Sequence, residues 1–229
     1  WLAPERGNYA VMAVMLFLAR ILGRKVLTRF IWPISLYYLL HDGTARRGSW
    51  VYLCRALGRR PTGLERWRHI HAYALTVLDR IFILGNKATV PPYTVRGSEA
   101  IFEALDKGKG CILLGAHVGS FDALRSVSRF ASRKICLRVL MYRRFVGAAS
   151  KAIEQLDPNY ENAIIHIGEP HTMLHVAEAL QQGQVVAILG DRAPDMGRSM
   201  AVPVLGKDAP LPLGPLRLAA ITGAPVVLF

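Results

Sequence analysis

Residues 110–122 read GCILLGAHVGSFD, an apolar run of strand length, Gly110–Ala116, that passes directly into His117-Val-Gly-Ser-Phe-Asp122. Short apolar runs and helical patterns alternate around it. Upstream, Tyr93–Arg96 reads as a short strand and Ser98–Lys107 as a helix with Ser98 as its N-cap. Downstream, helical patterns over Ser120–Ser132, Phe145–Leu156, Thr172–Gln182 and Pro215–Thr222 alternate with strand-like runs at Ile135–Met141, Ala163–His166, Gln184–Leu189 and Pro225–Phe229. Gly183 and Gly223 close the last two helices. Such alternation predicts an α/β fold, a largely parallel central sheet flanked by helices. In sheets of this kind, chemistry gathers beyond the carboxyl ends of the strands.

His117 stands at such an end. Gly119 and Ser120 can turn the chain, and Ser120 can cap the helix that follows. Inside one regular helix, a five-residue spacing would hold His117 and Asp122 apart around the axis. With His117 before the helix and Asp122 in its first turn, the carboxylate can fold back onto the imidazole. Asp122 would then accept from one ring nitrogen, fix the tautomer and stabilise the imidazolium, leaving the other nitrogen to deprotonate a substrate hydroxyl. A structural loop histidine beside a capping aspartate is the plain alternative. Two further loops follow predicted strands. Gly190-Asp191-Arg192 through Arg198 offers Arg192 and Arg198 for phosphate or pyrophosphate oxygens, and Asp191 to orient an arginine or a substrate hydroxyl. Tyr142-Arg143-Arg144 follows Ile135–Met141. A base and several arginines therefore converge on one edge of the sheet.

The N-terminal part is different. Residues 9–22 (YAVMAVMLFLARIL) and 26–40 (VLTRFIWPISLYYLL) are greasy, broken by Arg20, Arg29 and Pro33. Neither reaches the roughly 18 uninterrupted apolar residues of a spanning helix, and their lengths suit interfacial or re-entrant helices or a tilted hairpin. Arg20, Arg24, Lys25 and Arg29 can snorkel to phosphates while Trp32, Tyr37 and Tyr38 sit at headgroup level. Two core helices of an α/β domain are the alternative. Residues 44–81 carry eight arginines, and Leu64, Trp67, His71, Ala74, Leu75 and Leu78 recur at helical spacing, giving an amphipathic helix with a basic face. We expect residues 1–90 to be a membrane-associated helical region and 91–229 the α/β core of one continuous domain.

Composition agrees. Hydrophobic residues make up 52% of the 229-residue chain and charged residues 20%, with a mean hydropathy of +0.26. Lys plus Arg number 29 against 16 Asp plus Glu, a net charge of +13. That excess calls for an anionic partner; basic residues set among apolar stretches favour a membrane surface over nucleic acid. Cys54, Cys111 and Cys136 form no CxxC pair, which leaves neither a zinc knuckle nor a redox motif and suits a reducing cytoplasm. Residue 1 is Trp, and Ala224–Phe229 reads as an unfinished strand, so the chain is expected to be a piece of a longer one.

The runs ILLGAHVGSFD (112–122), MYRR (141–144), GDR (190–192) and VPVLGKDAPLPLGPLRLAAITGAPVV (202–227) resemble the bacterial lipid A biosynthesis (lauroyl/myristoyl) acyltransferase family, within the wider lysophospholipid acyltransferase group. The similarity covers roughly residues 5–229, most specifically 110–229. An H-x4-D box is the hallmark of that group, so the resemblance implies that His117 is the general base and Asp122 its orienting partner. The family's tyrosine–arginine resembles Tyr142-Arg143, its third-block acidic position Asp191, and its small-residue block Gly214 through Pro225, while from their own positions Gly119, Ser120, Arg144, Arg192 and Arg198 are expected around the substrates. It further implies an O-acyltransferase with no resident cofactor or metal. The donor is a thioester of acyl carrier protein or coenzyme A, and the acceptor is a lipid A-like or related lipid. The implied location is the cytoplasmic face of the bacterial inner membrane. The third block lacks the E-G-T-R pattern of glycerolipid acyltransferases, which argues against a glycerol phosphate acceptor. Three rivals stand beside this reading. A metal enzyme would use His69, His71, His166, His171 and His175, but no H-E-x-x-H is present. A serine hydrolase at Ser120 lacks G-x-S-x-G. A non-catalytic basic membrane-binding or nucleic-acid-binding module explains the charge but not the residues gathered at predicted strand ends.

Overall fold

A computed structural model describes residues 9–85, 94–119, 135–142, 161–192 and 198–229. Among them, five strands form one parallel sheet: β1 (Cys111–Gly115), β2 (Leu137–Tyr142), β3 (Ile164–Ile167), β4 (Val185–Leu189) and β7 (Val226–Leu228). Their order is β3-β2-β4-β1-β7. The chain leaves β1 toward β2 in one direction and leaves β4 toward β7 in the other. The neighbours β1 and β4 therefore flank a topological switch point, where doubly wound sheets open a crevice beyond the strand ends.

Strand alternation divides the sheet between two apolar layers. Ile112, Val186, Ile188 and Ile165 face one side, with Val176, Ala179 and Leu180 of α5 (Thr172–Gln181) and Leu218 of α6 (Gly214–Thr222). Cys111, Leu113, Val185, Ala187 and Leu137 face the other side, with Ala104 of α4 (Glu99–Asp106). Because both faces are covered, these strands read as continuous apolar runs. Burial also pushes the Cys111 thiol above its ordinary value, as expected of a small core residue rather than a reactive one.

The expected strands and helices from residue 98 onward appear within a residue or two wherever they are described. The helices expected over 120–132 and 145–156 lie outside the described residues, as does Tyr93. Thr94–Arg96, expected to extend a strand from Tyr93, has no regular structure. Ser98 does precede α4, but its side chain makes no capping bond. A hairpin absent from the sequence reading joins β4 to α6: β5 (Ser199–Val204) pairs antiparallel with β6 (Lys207–Pro212). Pro203, Pro210 and Pro212 argue against strands on sequence grounds, but a two-stranded ribbon is all edge, and prolines are tolerated there.

Among the described residues, three further helices precede α4 in the chain. α1 (Tyr9–His41) is broken at Gly23 (φ 68, ψ 169) and continues through Pro33. The two greasy stretches thus join in one element, and the break falls at the glycine between them rather than at the proline. α2 (Gly43–Leu57) opens on Asp42, whose Oδ1 accepts from the Thr44 and Ala45 N–H groups. α3 (Gly63–Gly85) packs on α1 through Ala19, Leu27, Ile31, Leu78, Ile81 and Phe82. Leu78, Ala74 and Leu75 of the expected amphipathic stripe turn inward, while Leu64 is exposed. Arg24, expected to reach phosphates, instead grips Asp79 of α3 with two hydrogen bonds of 2.7 and 3.1 Å. No helix among the described residues is long and apolar enough to cross a membrane.

Candidate active site

The register of β1 on β4 builds the site. Gly115 pairs with Leu189, so the residues two positions further along, His117 and Asp191, leave the sheet side by side. The Gly190 N–H donates to the Gly115 carbonyl at 2.8 Å, holding the second loop against the first. A Cβ at 190 would meet the end of the Leu114 side chain at 2.7 Å, so a larger residue there would have to push that side chain aside. The β1 loop then turns tightly: the Val118 N–H donates to the Ala116 carbonyl, and Gly119 adopts φ 77, a left-handed conformation that glycine takes without strain.

His117 Nδ1 lies 2.8 Å from Asp191 Oδ1. An ionised carboxylate only accepts, so this contact puts the ring proton on Nδ1 and leaves Nε2 as a base. The His117 side chain is 43% exposed, which keeps its ring open to a partner from outside. Burial pushes the Asp191 carboxyl up; the hydrogen bond and charge of His117 outweigh it, helped by backbone N–H groups, and the net result lies below the ordinary value. Asp191 is therefore an anion at neutral pH, suited to stabilising an imidazolium. Its Oδ2 lies 3.7 Å from Arg192 Nε, so one carboxylate faces both the imidazole and a guanidinium.

β2 flanks β4 on its other side and ends at Tyr142, whose phenol burial pushes above its usual value. Arg143 and Arg144 follow immediately but lie outside the described residues, as do Ser120 and Asp122. Arg198 precedes β5, and its carbonyl accepts from the Leu213 N–H at 2.9 Å, closing the base of the hairpin. The structure therefore brings His117, Gly119, Asp191 and Arg192 to one edge of the sheet. On sequence grounds Asp191 is expected to orient an arginine or a substrate hydroxyl; in the structure its partner is His117. Both residues stand two positions past a strand, but only the adjacency of β1 and β4 makes them neighbours.

The other histidines are placed differently. His171, which precedes α5, and His175 in its first turn have ring centroids 6.4 Å apart. His71 Nδ1 lies 3.0 Å from Ser35 Oγ and His69 Nδ1 lies 3.0 Å from Ser49 Oγ, both within the N-terminal helices. Among the described residues, no group of three His, Cys, Asp or Glu side chains is arranged to hold a metal ion.

Comparison with curated proteins finds no match. Residues 67–229, from the second turn of α3 through the whole sheet, match the family of bacterial lipid A biosynthesis acyltransferases. With the parallel sheet and a match over most of its length, the chain belongs to the bacterial lipid A biosynthesis acyltransferase family.

Proposed function

We propose that this acyltransferase moves a fatty acyl chain from a thioester of acyl carrier protein or coenzyme A to a hydroxyl or amine of a lipid A-like or related glycolipid, with His117 as general base. The observation that carries the proposal is the 2.8 Å contact between His117 Nδ1 and Asp191 Oδ1 beyond the ends of two adjacent parallel strands. Nε2 takes the proton of the acceptor hydroxyl as its oxygen attacks the thioester carbonyl. The tetrahedral oxyanion collapses, the C–S bond breaks, and the imidazolium returns its proton to the departing thiolate. No covalent enzyme intermediate is needed, because the acceptor is the nucleophile. Backbone N–H groups or an arginine stabilise the oxyanion. Arg143, Arg144, Arg192 and Arg198 supply cations for anionic substrates.

Two carboxylates are assigned to the imidazole, Asp122 by the family box and Asp191 by contact. Comparing Asp122→Asn with Asp191→Asn separates them: the variant that loses more of kcat marks the carboxylate that orients His117 during reaction. The exposed apolar side chains of α1, among them Phe17, Ile21, Phe30, Trp32 and Leu40, support association with a membrane surface, peripheral or N-terminally anchored, and the side of the bilayer we assign to it is the cytoplasmic face of the bacterial inner membrane. The +13 charge suits both an anionic bilayer and an acidic carrier protein. The test is His117→Ala in purified, folded protein with an acyl thioester and a lipid A precursor. Transfer should fall by about 10²–10⁴, the usual share of a general base, and retained transfer would overturn the assignment.

A further inference from the structure

An open cleft of about 740 Å³ lies between α2 and the tip of the β5–β6 hairpin. It sits at the far end of the hairpin from the loop that carries Asp191; six residues of β5 span on the order of 20 Å. One face of α2 forms one wall, with Arg47, Gly48, Val51, Tyr52 and Arg55 at helical spacing, while Ser49 on the other side of the helix is buried. The hairpin tip forms the other wall with Val204, Leu205, Lys207 and Asp208. Leu205 holds φ 49, a left-handed conformation unusual for leucine, and its exposed side chain lines the cleft.

Three cations and one carboxylate thus meet over an apolar surface. Arg24 and Arg59 are neutralised by Asp79 and Glu65, whereas Arg47, Arg55 and Lys207 have no ion-pair partner among the described residues. Converging unpaired cations from two separate elements suit a phosphate, and Val51, Tyr52, Val204 and Leu205 suit the apolar part of the same ligand. The cleft is also lined by Gly43 and Thr44, which follow the end of α1 directly; there the Arg46 side chain donates to the Leu40 carbonyl, and Tyr37, Tyr38 and Leu40 are exposed.

We propose that this cleft binds the phosphate-bearing headgroup of a lipid, at a site separate from His117. Asp208 is available to accept from headgroup hydroxyls. Binding here does not depend on acyl transfer, so His117→Ala should leave it intact even if the catalytic assignment fails.

The probe is dihexanoyl phosphatidic acid, titrated into the full chain while the Arg Nε–H resonances are followed by NMR. Saturable shifts are expected at Arg47 and Arg55. The R47A/R55A/K207A variant should bind roughly tenfold more weakly or worse, since each lost charge-assisted contact removes a large part of the affinity. The K107A/K109A/R217A variant removes the same charge from exposed sites elsewhere and should bind as the native chain does. Gly48→Leu is the charge-neutral arm. A Cβ at 48 meets nothing within 4 Å, so the leucine fills the cleft without disturbing α2 and should weaken binding. Equal loss in both triple variants, or native binding by G48L, overturns the site. Inorganic phosphate bound as tightly as the lipid overturns the lipid assignment. Shifts at Arg47 and Arg55 with acyl carrier protein but not with the lipid make this a carrier-docking surface and overturn the proposal as well.

Discussion

The sheet edge and the N-terminal helices each hold histidines by Nδ1, but with different partners. At the sheet edge the partner is the Asp191 carboxylate, and the pair is partly open. For His71 and His69 in the helices the partners are hydroxyls. Ser35 Oγ donates to the Trp32 carbonyl and so can only accept from His71, whose ring stacks on Trp67. His69 meets Ser49 and stacks on Tyr52. A carboxylate stabilises the charged ring; a hydroxyl accepts one hydrogen bond and offers little to an imidazolium. Burial accordingly holds His69 below its ordinary value of 6.5. The neighbourhood, and not the residue type, separates a proton-transfer group from a packing group. The regions also differ in what they bury: the sheet hides Ile112 and Val186 completely, while α1 packs one face on α3 and leaves Phe17 and Ile21 more than half exposed.

The largest expected effect tests the first contrast. Asp191→Asn should cut kcat by about 10²–10⁴ with little change in melting temperature, since the amide can favour the wrong tautomer and cannot stabilise the imidazolium. His71→Ala should do the reverse, leaving kcat nearly native and lowering stability. Equal kcat losses would erase the distinction. The second contrast is tested by truncation. Ile112→Ala should cost about 2–5 kcal/mol in denaturant unfolding. Ile21→Ala should stay within roughly 0.5 kcal/mol in solution and weaken vesicle binding instead. Next, Ser35→Ala should cost about 1–3 kcal/mol by leaving the His71 Nδ1–H without its acceptor.

A smaller effect concerns pH. His69 binds its proton less readily folded than unfolded, so stability should fall as pH drops through 6.5 toward the lower folded value, and His69→Gln should flatten that slope. Asp191 acts in a lower window. Its contribution is complete above the ordinary carboxylate value of 3.8 and is lost as pH falls through its lower folded value, so Asp191→Asn should flatten only the acid end. The smallest effect is Asp79→Ala, which removes the exposed pair with Arg24 and should cost about 0.2–1 kcal/mol, less at high salt.

Most of the sheet was legible because its strands are short apolar runs between glycines and polar helix starts, and burial on both faces writes that pattern directly into the chain. The hairpin was not legible, because its prolines mimic a loop and its residues are mostly exposed. His117 was legible from its place just past GCILLGA, whereas its contact with Asp191, 74 positions away, was not. By itself the sequence determined the α/β class, the strand segments of the parallel sheet, the loops that carry His117 and Asp191, and the family, since these follow from local pattern and from motifs read along the chain. Only the tertiary structure decided that β1 and β4 are neighbours in register, that Asp191 holds the imidazole, and that α2 faces the hairpin tip. Each of these depends on which segments pack side by side, and strand order is settled by long-range burial that leaves no periodicity in the sequence.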